Sequence, residues 1–280
     1  MSKAFSKILL LVVFLIFNNQ NISFSAEEYE NINIPCEVKE CNPKLGATST
    51  RWYKGDKTKP VIFHYAGGAS TYLSLDFISV PVSLLKGKFD IVMVASPIAI
   101  SAKNSTGFPK GSYNKYAVYR MKQVAEYYKK KFNRPIWLTG ISAGGPRMIG
   151  TLIGNEKNRP SDIYAGLVFA SPYLARVYRK DGKLTGEFAY NIKVKDIKYK
   201  MNLPILVVQH ARDHKAAQHP DKQKWFTEQL AKRNSGVTEL KLLTEGDPKI
   251  TDDDGGHHWF IYNKPEVARV ISKFILDNTK

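Results

Sequence analysis

Apolar positions along the chain follow two rhythms. Short, nearly unbroken apolar runs at Pro60–Tyr65, Phe89–Ala95, Pro135–Gly140, Ile163–Ala170, Pro204–Gln209 and Thr238–Leu243 read as strands, most of them buried on both faces. Between them the period changes to three and four residues. In Tyr116–Lys131 the residues Val118, Met121, Val124, Ala125 and Tyr128 recur at that spacing with Lys and Arg between them, which predicts an amphipathic helix. Pro146–Gly154, Trp225–Lys232 and Val267–Asn278 read as further helices. Strands alternating with helices predict an α/β protein of three layers, a mainly parallel sheet covered by helices on both faces. In such sheets functional groups gather at the carboxyl ends of the strands.

One stretch breaks the alternation. Tyr173 to Met201 carries eight Lys or Arg, three acids and a turn at Asp181-Gly182. It is a candidate cap or lid inserted into the domain (residues 173–201), with a plain surface excursion as the other reading. Another stretch stands outside the fold. Lys3 and Lys7 precede the apolar run Ile8–Phe17, and a polar, small-residue segment follows to Ser25. That is the order of a secretory signal peptide, expected over residues 1–25 with the folded domain over 26–280. An uncleaved anchor is the alternative, and the ten-residue run, too short for a comfortable span, speaks against it. Export implies a periplasmic or secreted protein with no stable membrane span after processing. In that compartment Cys36 and Cys41 would form a local disulfide. No second cysteine pair is present to complete a metal site with them.

Charge adds a constraint. The chain carries a formal +17, and removal of Lys3 and Lys7 would leave about +15. The cations are spread over helix faces such as Lys129-Lys130-Lys131 rather than gathered in a nucleic-acid motif, so no specific nucleic-acid binding is expected.

The chemistry is carried by four segments. Gly140-Ile141-Ser142-Ala143-Gly144 matches G-x-S-x-G between a strand and a helix, a turn that holds a serine hydroxyl exposed at a strand end. His210-Ala211-Arg212-Asp213 follows the fifth strand run and places Asp213 where a carboxylate can orient an imidazole. Asp252-Asp253-Asp254-Gly255-Gly256-His257-His258-Trp259 is a turn-rich loop before the last helix. His258 is the favoured base and His257 the alternative. His64-Tyr65-Ala66-Gly67-Gly68 follows the first strand run, and its glycines let a backbone approach a substrate. Ala66 and Gly67 are candidate oxyanion donors beside the N–H of Ala143.

Taken together these segments resemble the α/β-hydrolase family over essentially the whole chain after the signal segment. Its order of nucleophile, acid and base is reproduced as Ser142, Asp213 and His258. The resemblance implies an eight-stranded, mainly parallel sheet. It also implies hydrolysis of a carboxylic ester, or a related thioester or amide, without a cofactor or metal. Tyr65-Ala66 stands where many members carry glycines, which leaves open which amide donates to the oxyanion.

The substrate class would be a small or polymeric ester, with the basic segment Arg176 to Lys200 hinting at an anionic one. Three other readings stay open: a catalytically inactive hydrolase-fold binding protein, a serine peptidase-like hydrolase, and a metal site built from Asp252 to Asp254 with His257 and His258.

Overall fold

The computed structural model describes residues 29–37, 39, 47–67, 80–94, 113–174, 176–186, 193–213, 217–244 and 264–279. The signal segment, Cys41, Gly68 and the loop bearing His257 and His258 lie outside the described residues.

Eight strands form one sheet: β1 (Tyr29–Ile34), β2 (Thr48–Tyr53), β3 (Val61–Tyr65), β4 (Asp90–Val94), β5 (Ile136–Ile141), β6 (Gly166–Ala170), β9 (Ile205–His210) and β10 (Thr238–Leu243). A two-stranded hairpin, β7 (Val177–Lys180) with β8 (Lys183–Gly186), stands apart from it. The strand order is β1-β2-β4-β3-β5-β6-β9-β10. The β1–β2 and β2–β4 pairs are antiparallel, and every pair from β4 to β10 is parallel. The helices are a single turn α1 (Val80–Ser83), then α2 (Tyr113–Phe132), α3 (Gly144–Thr151), α4 (Pro220–Lys232) and α5 (Lys264–Asp277).

The two-residue period of the strands sorts the core into two halves. Phe63, Leu138, Phe169 and Val207 point to one face, where Met121, Val124 and Tyr128 of α2 and Phe226 and Leu230 of α4 meet them. Ile62, Met93, Trp137, Val168 and Leu206 point to the other, against Val267, Ile271, Phe274 and Ile275 of α5. All are essentially excluded from solvent, and each such side chain contributes about 1.5–3 kcal/mol of burial. The three-layer, mainly parallel eight-stranded α/β architecture read from the chain is therefore present.

Several boundaries differ from the sequence reading. Residues 163–165 are not strand. Pro160–Ile163 is a 3₁₀ turn and β6 begins at Gly166, whose missing Cβ leaves room for the Trp137 ring; a Cβ there would lie 2.3 Å from it. Helix α4 begins at Pro220, five residues before Trp225, because Pro220 suits the first helical position and His219 Nδ1 accepts from Asp221 N. Helix α3 begins at Gly144 and ends at Thr151, shifted towards the serine turn relative to the 146–154 reading.

The described parts of segment 173–201 carry buried side chains of the main core. Asp181 and Gly182 both have positive φ (48° and 73°), the conformation of a tight hairpin turn, and they join β7 to β8. Leu174, Val177, Val194, Ile197, Tyr199 and Met201 are buried in the same core half as α4.

At the amino end of the parallel strands one buried carboxylate ties three segments together. Asp90 opens β4 and accepts from Trp52 Nε1 at 2.7 Å and from Gly55 N at 3.0 Å. It also pairs with Arg134, which donates to the carbonyls of Asp56 and Lys59. This knot clamps the antiparallel edge to the parallel body. Asp90→Ala should cost about 2–4 kcal/mol, since it strands a buried indole N–H, an amide and a guanidinium. Urea unfolding checks this. The fold at the opposite strand ends should be unchanged by circular dichroism.

Candidate active site

Strand β5 ends at Ile141, and Ser142 follows with φ of +50°, a left-handed conformation costly for a non-glycine residue. Backbone bonds hold it there. Ser142 N donates to Ala170 O at 2.9 Å, continuing the ladder to β6. Ser142 O accepts from Gly145 N at 3.1 Å and from Tyr173 N at 2.9 Å. The turn is tight because its neighbours are small. A Cβ on Gly140 would lie 2.6 Å from Met148 Sδ, and one on Gly145 would lie 2.6 Å from Pro172 Cβ. A Cβ on Gly144 would fall 2.1 Å from the Tyr65 carbonyl oxygen, so the end of β3 and the start of α3 meet backbone to backbone.

That approach brings the chain just past β3 against the serine turn. Ala66 and Gly67 are buried just past β3, adjacent to β5 in the sheet. Ala143 is the N-cap of α3 and supplies no side-chain cap to the helix. The amides of the first helical turn have no partner inside their own helix, and the helix dipole favours negative charge beside them. Arg147, buried on the second turn of α3, donates to Ala66 O at 2.8 Å and so fixes the loop against the helix.

Asp213 lies three residues past β9, two strands from β5, and is 1% exposed. Gln209, the penultimate residue of β9, donates its amide to Asp213 Oδ2 at 3.0 Å, while its carbonyl accepts from His210 N at 3.0 Å. A second buried glutamine, Gln223 of α4, donates to Pro172 O at 3.1 Å and to Gln218 O at 3.3 Å, joining the chain after β6 to the turn after β9. Ser142, Ala143, Ala66, Gly67 and Asp213 thus stand at the carboxyl ends of β3, β5 and β9, as the sequence reading placed them. His257, His258 and Cys41 fall outside the described residues. Cys36 follows β1 at the antiparallel edge of the sheet.

Neither Gln209 nor Arg147 was singled out in the sequence. Each had a faint signal: a lone amide in the apolar run of β9, and a lone charge in a helix otherwise made of small and apolar residues.

His64 is buried on β3 beside this loop. Its Nδ1 lies 2.8 Å from Thr139 Oγ1, and the Thr139 hydroxyl itself donates to Phe63 O at 3.2 Å. The hydroxyl has one proton, so Nδ1 carries the proton of the imidazole and Nε2 is a bare acceptor. Burial pushes the His64 pKa down to about 3. Held neutral and bonded to Thr139 in this way, His64 is a structural residue of the strand end.

Comparison with known proteins separates shape from sequence. No family model matches the chain, and no curated protein matches it. Solved structures do. XC6422 from Xanthomonas campestris, described as a serine hydrolase without a lid, superposes with a TM-score of 0.54 at 11% identity, over 91% of this chain and 96% of that one. The carboxylesterase EstE1, cloned from a metagenomic library, gives 0.55 at 12% over 90% of each chain. Brefeldin A esterase, a bacterial homologue of human hormone-sensitive lipase, gives 0.57 at 16% over 92% of this chain and 79% of that one. The chain has the α/β-hydrolase fold. Prolyl endopeptidases share this fold with a TM-score of 0.58, but this hydrolase-fold chain spans only 39% of their length.

The neutral His64 gives the fold a pH dependence with a defined sign. The unfolded chain protonates near 6.5, the folded one near 3. Between those values the unfolded state holds more protons, so stability falls as pH drops from 6.5 towards 3, by up to about 1.4 kcal/mol per unit, and is complete above 6.5. His64→Asn keeps an amide donor for Thr139 without the titration. The wild-type minus variant difference in urea stability should shrink between pH 7 and pH 4. A difference independent of pH would contradict a neutral buried imidazole.

Proposed function

We propose that this protein is a serine hydrolase that cleaves carboxylic esters through an acyl-enzyme. Ser142 is the nucleophile, Asp213 the acid and His258 the base. The observation that carries the reading is the strained Ser142 turn, wedged by Gly144 against the end of β3. The start of α3 and the Ala66-Gly67 loop, which this contact brings together, would be the two sources of backbone N–H for the oxyanion.

In this mechanism the imidazole takes the Ser142 proton as Oγ attacks the ester carbonyl. Asp213, itself held by Gln209, keeps the imidazole oriented and offsets its positive charge. Ala143 N–H and an N–H from Ala66 or Gly67 meet the oxyanion. The protonated imidazole then passes its proton to the leaving alcohol, and water releases the acid by the same route in reverse. We place the protein outside the cytoplasm on the signal-peptide pattern of residues 1–25, with Cys36 and Cys41 bridged. The esterases and the lidless serine hydrolase among the structural neighbours favour the ester reading over the peptidase one, since the peptidases are matched over less than half their length.

A fluorophosphonate probe tests the nucleophile. Wild type should be labelled and Ser142→Ala should not; absence of labelling in the folded protein would leave the binding-protein and metal-site readings. On p-nitrophenyl esters of graded chain length, His258→Ala should lower kcat at least about 10³-fold, while His257→Ala stays within about tenfold of wild type. The opposite ranking would make His257 the base. Gln209→Leu should lower kcat about tenfold with KM unchanged, because it loosens Asp213 without touching the substrate.

A further inference from the structure

Strand β10 ends the sheet on its parallel side, and among the described residues nothing pairs with its outer edge. Its ladder to β9 fixes which way its peptide groups point. Val237 O accepts from Ile205 N at 2.8 Å, and Leu243 O accepts from Ala211 N at 2.9 Å. The two-residue period of a strand then turns the peptide groups of Val237, Glu239, Lys241 and Leu243 towards β9 and those of Thr238, Leu240 and Leu242 outward. The register with β9 is unbroken over all six residues and the strand holds no proline, so two common devices for blunting an edge are absent from it.

Side chains sort by the same period. Leu240 packs on the core half that holds α4, and Leu243 on the half that holds α5. Thr238, Leu240 and Leu242 therefore share the α4 face, and Glu239 and Lys241 share the α5 face. On that face Arg269, through its hydrogen bonds, and Lys241, through its charge, hold the Glu266 carboxyl below its usual range. Glu239 and Lys241 are exposed, and among the described residues neither side chain forms a hydrogen bond or a close ion pair. Two apolar side chains at the same edge, Val237 and Leu242, are 53% and 40% exposed. With one acid and one base the strand is neutral, on a chain that carries +17.

We propose that the β10 edge is the contact surface for a second copy of this chain, the two β10 strands pairing antiparallel about a twofold axis through Leu240. An outward residue can form a hydrogen-bonded pair only with another outward residue, so Thr238, Leu240 and Leu242 of one copy must meet the same set of the other. With Leu240 opposite Leu240, Thr238 faces Leu242 and Glu239 faces Lys241 on both sides of the axis. Moving the axis to Glu239 sets two carboxylates opposite each other, and moving it to Lys241 sets two ammonium groups opposite each other. The central register alone makes the opposed charges complementary, and it also uses every outward peptide group of the strand, in about six hydrogen bonds. The Glu239–Lys241 pairs fall at the non-hydrogen-bonded positions, where opposed side chains come closest. Val237 gains Leu243 as its opposite neighbour. A contact of this kind is isologous and closes at two copies. An extended peptide from another protein can also add to an open edge, but the match of this strand to itself favours its own copy. The proposal does not depend on the hydrolase reading.

Sedimentation velocity tests it at about 0.15 M salt, where the long-range repulsion between two cationic bodies is largely screened. The protein should show a monomer–dimer equilibrium over roughly 1–100 μM, with no larger species. Glu239→Lys or Lys241→Glu alone should weaken dimerisation at least about tenfold, and the two together should restore it to within about threefold of wild type. Both positions are exposed, so circular dichroism of each variant should match wild type. Rescue by exchange is a result that a merely structural role of either side chain would not give. For the register, Glu239→Cys protein mixed with Lys241→Cys protein should form a disulfide-linked dimer under mild oxidation at least about tenfold faster than either variant alone. Wild type that stays monomeric throughout, a mass that grows past the dimer, or single charge variants that dimerise like wild type would overturn the proposal. Faster cross-linking of either cysteine variant with itself would overturn the register and the charge argument with it.

Discussion

The rest of the site depends on one backbone contact, the approach of the Gly144 position in α3 to the carbonyl of Tyr65 at the end of β3. Two polypeptide backbones can come this close only where no Cβ stands between them. The contact sets the distance from the serine turn to the Ala66-Gly67 loop. Gly140 and Gly145 tighten the turn in the same way, against Met148 and Pro172. The left-handed Ser142 is the conformational consequence. A cost of about 1–3 kcal/mol is held in place by the ladder bond to Ala170 and the two bonds accepted by its carbonyl.

The two ends of the sheet spend their buried polar groups differently. At the amino end, Asp90, Trp52, Gly55 and Arg134 satisfy one another and lock the antiparallel edge to the parallel body. At the carboxyl end the polar groups hold other functional groups in place: Gln209 holds Asp213, Arg147 holds the Ala66 carbonyl, and Thr139 fixes the tautomer of His64. A perturbation of the first set acts on stability. A perturbation of the second acts on geometry at the strand ends, where parallel sheets collect their chemistry.

What could be read in the chain follows from the range of the forces involved. The parallel strands β3, β4, β5 and β9 have continuous apolar runs, and the serine turn is written in four adjacent small residues, so local pattern suffices for both. Strand β1, Tyr-Glu-Asn-Ile-Asn-Ile, shows mostly exposed side chains and forms only because β2 pairs with it, so its own residues hold no strand signal strong enough to separate it from a loop. Strand β2 runs polar Thr48, Ser49, Thr50 and Arg51 ahead of its two aromatics, and its hold on the fold comes from the distant Asp90 and Tyr128. The hairpin turn was visible at Asp181-Gly182, but of β7 only Val177 is buried, so its strands were not. Gln209 and Arg147 were invisible as site residues for a similar reason. Their partners are fixed by register and by packing across elements, neither of which a local window contains.

The positive charge shows the same limit from another side. A formal +17 describes the whole chain and cannot distinguish a solvated helix face from a binding surface. Position in the fold makes the distinction. Lys129, Lys130 and Lys131 close helix α2 in its last turn, where cations are favoured by the helix dipole, and Lys131 also lies 3.6 Å from Glu30 of β1. Lys198 and Lys200 alternate with three buried side chains and face away from the core. Arg176, Lys193 and Lys195 line one hollow with the rings of Tyr178 and Trp225. Arg179, Lys183, Lys224 and Lys232 line a second hollow, with Asp221 and Glu228 among them, so which cations share a concave surface is decided by tertiary structure and cannot be read from the net charge.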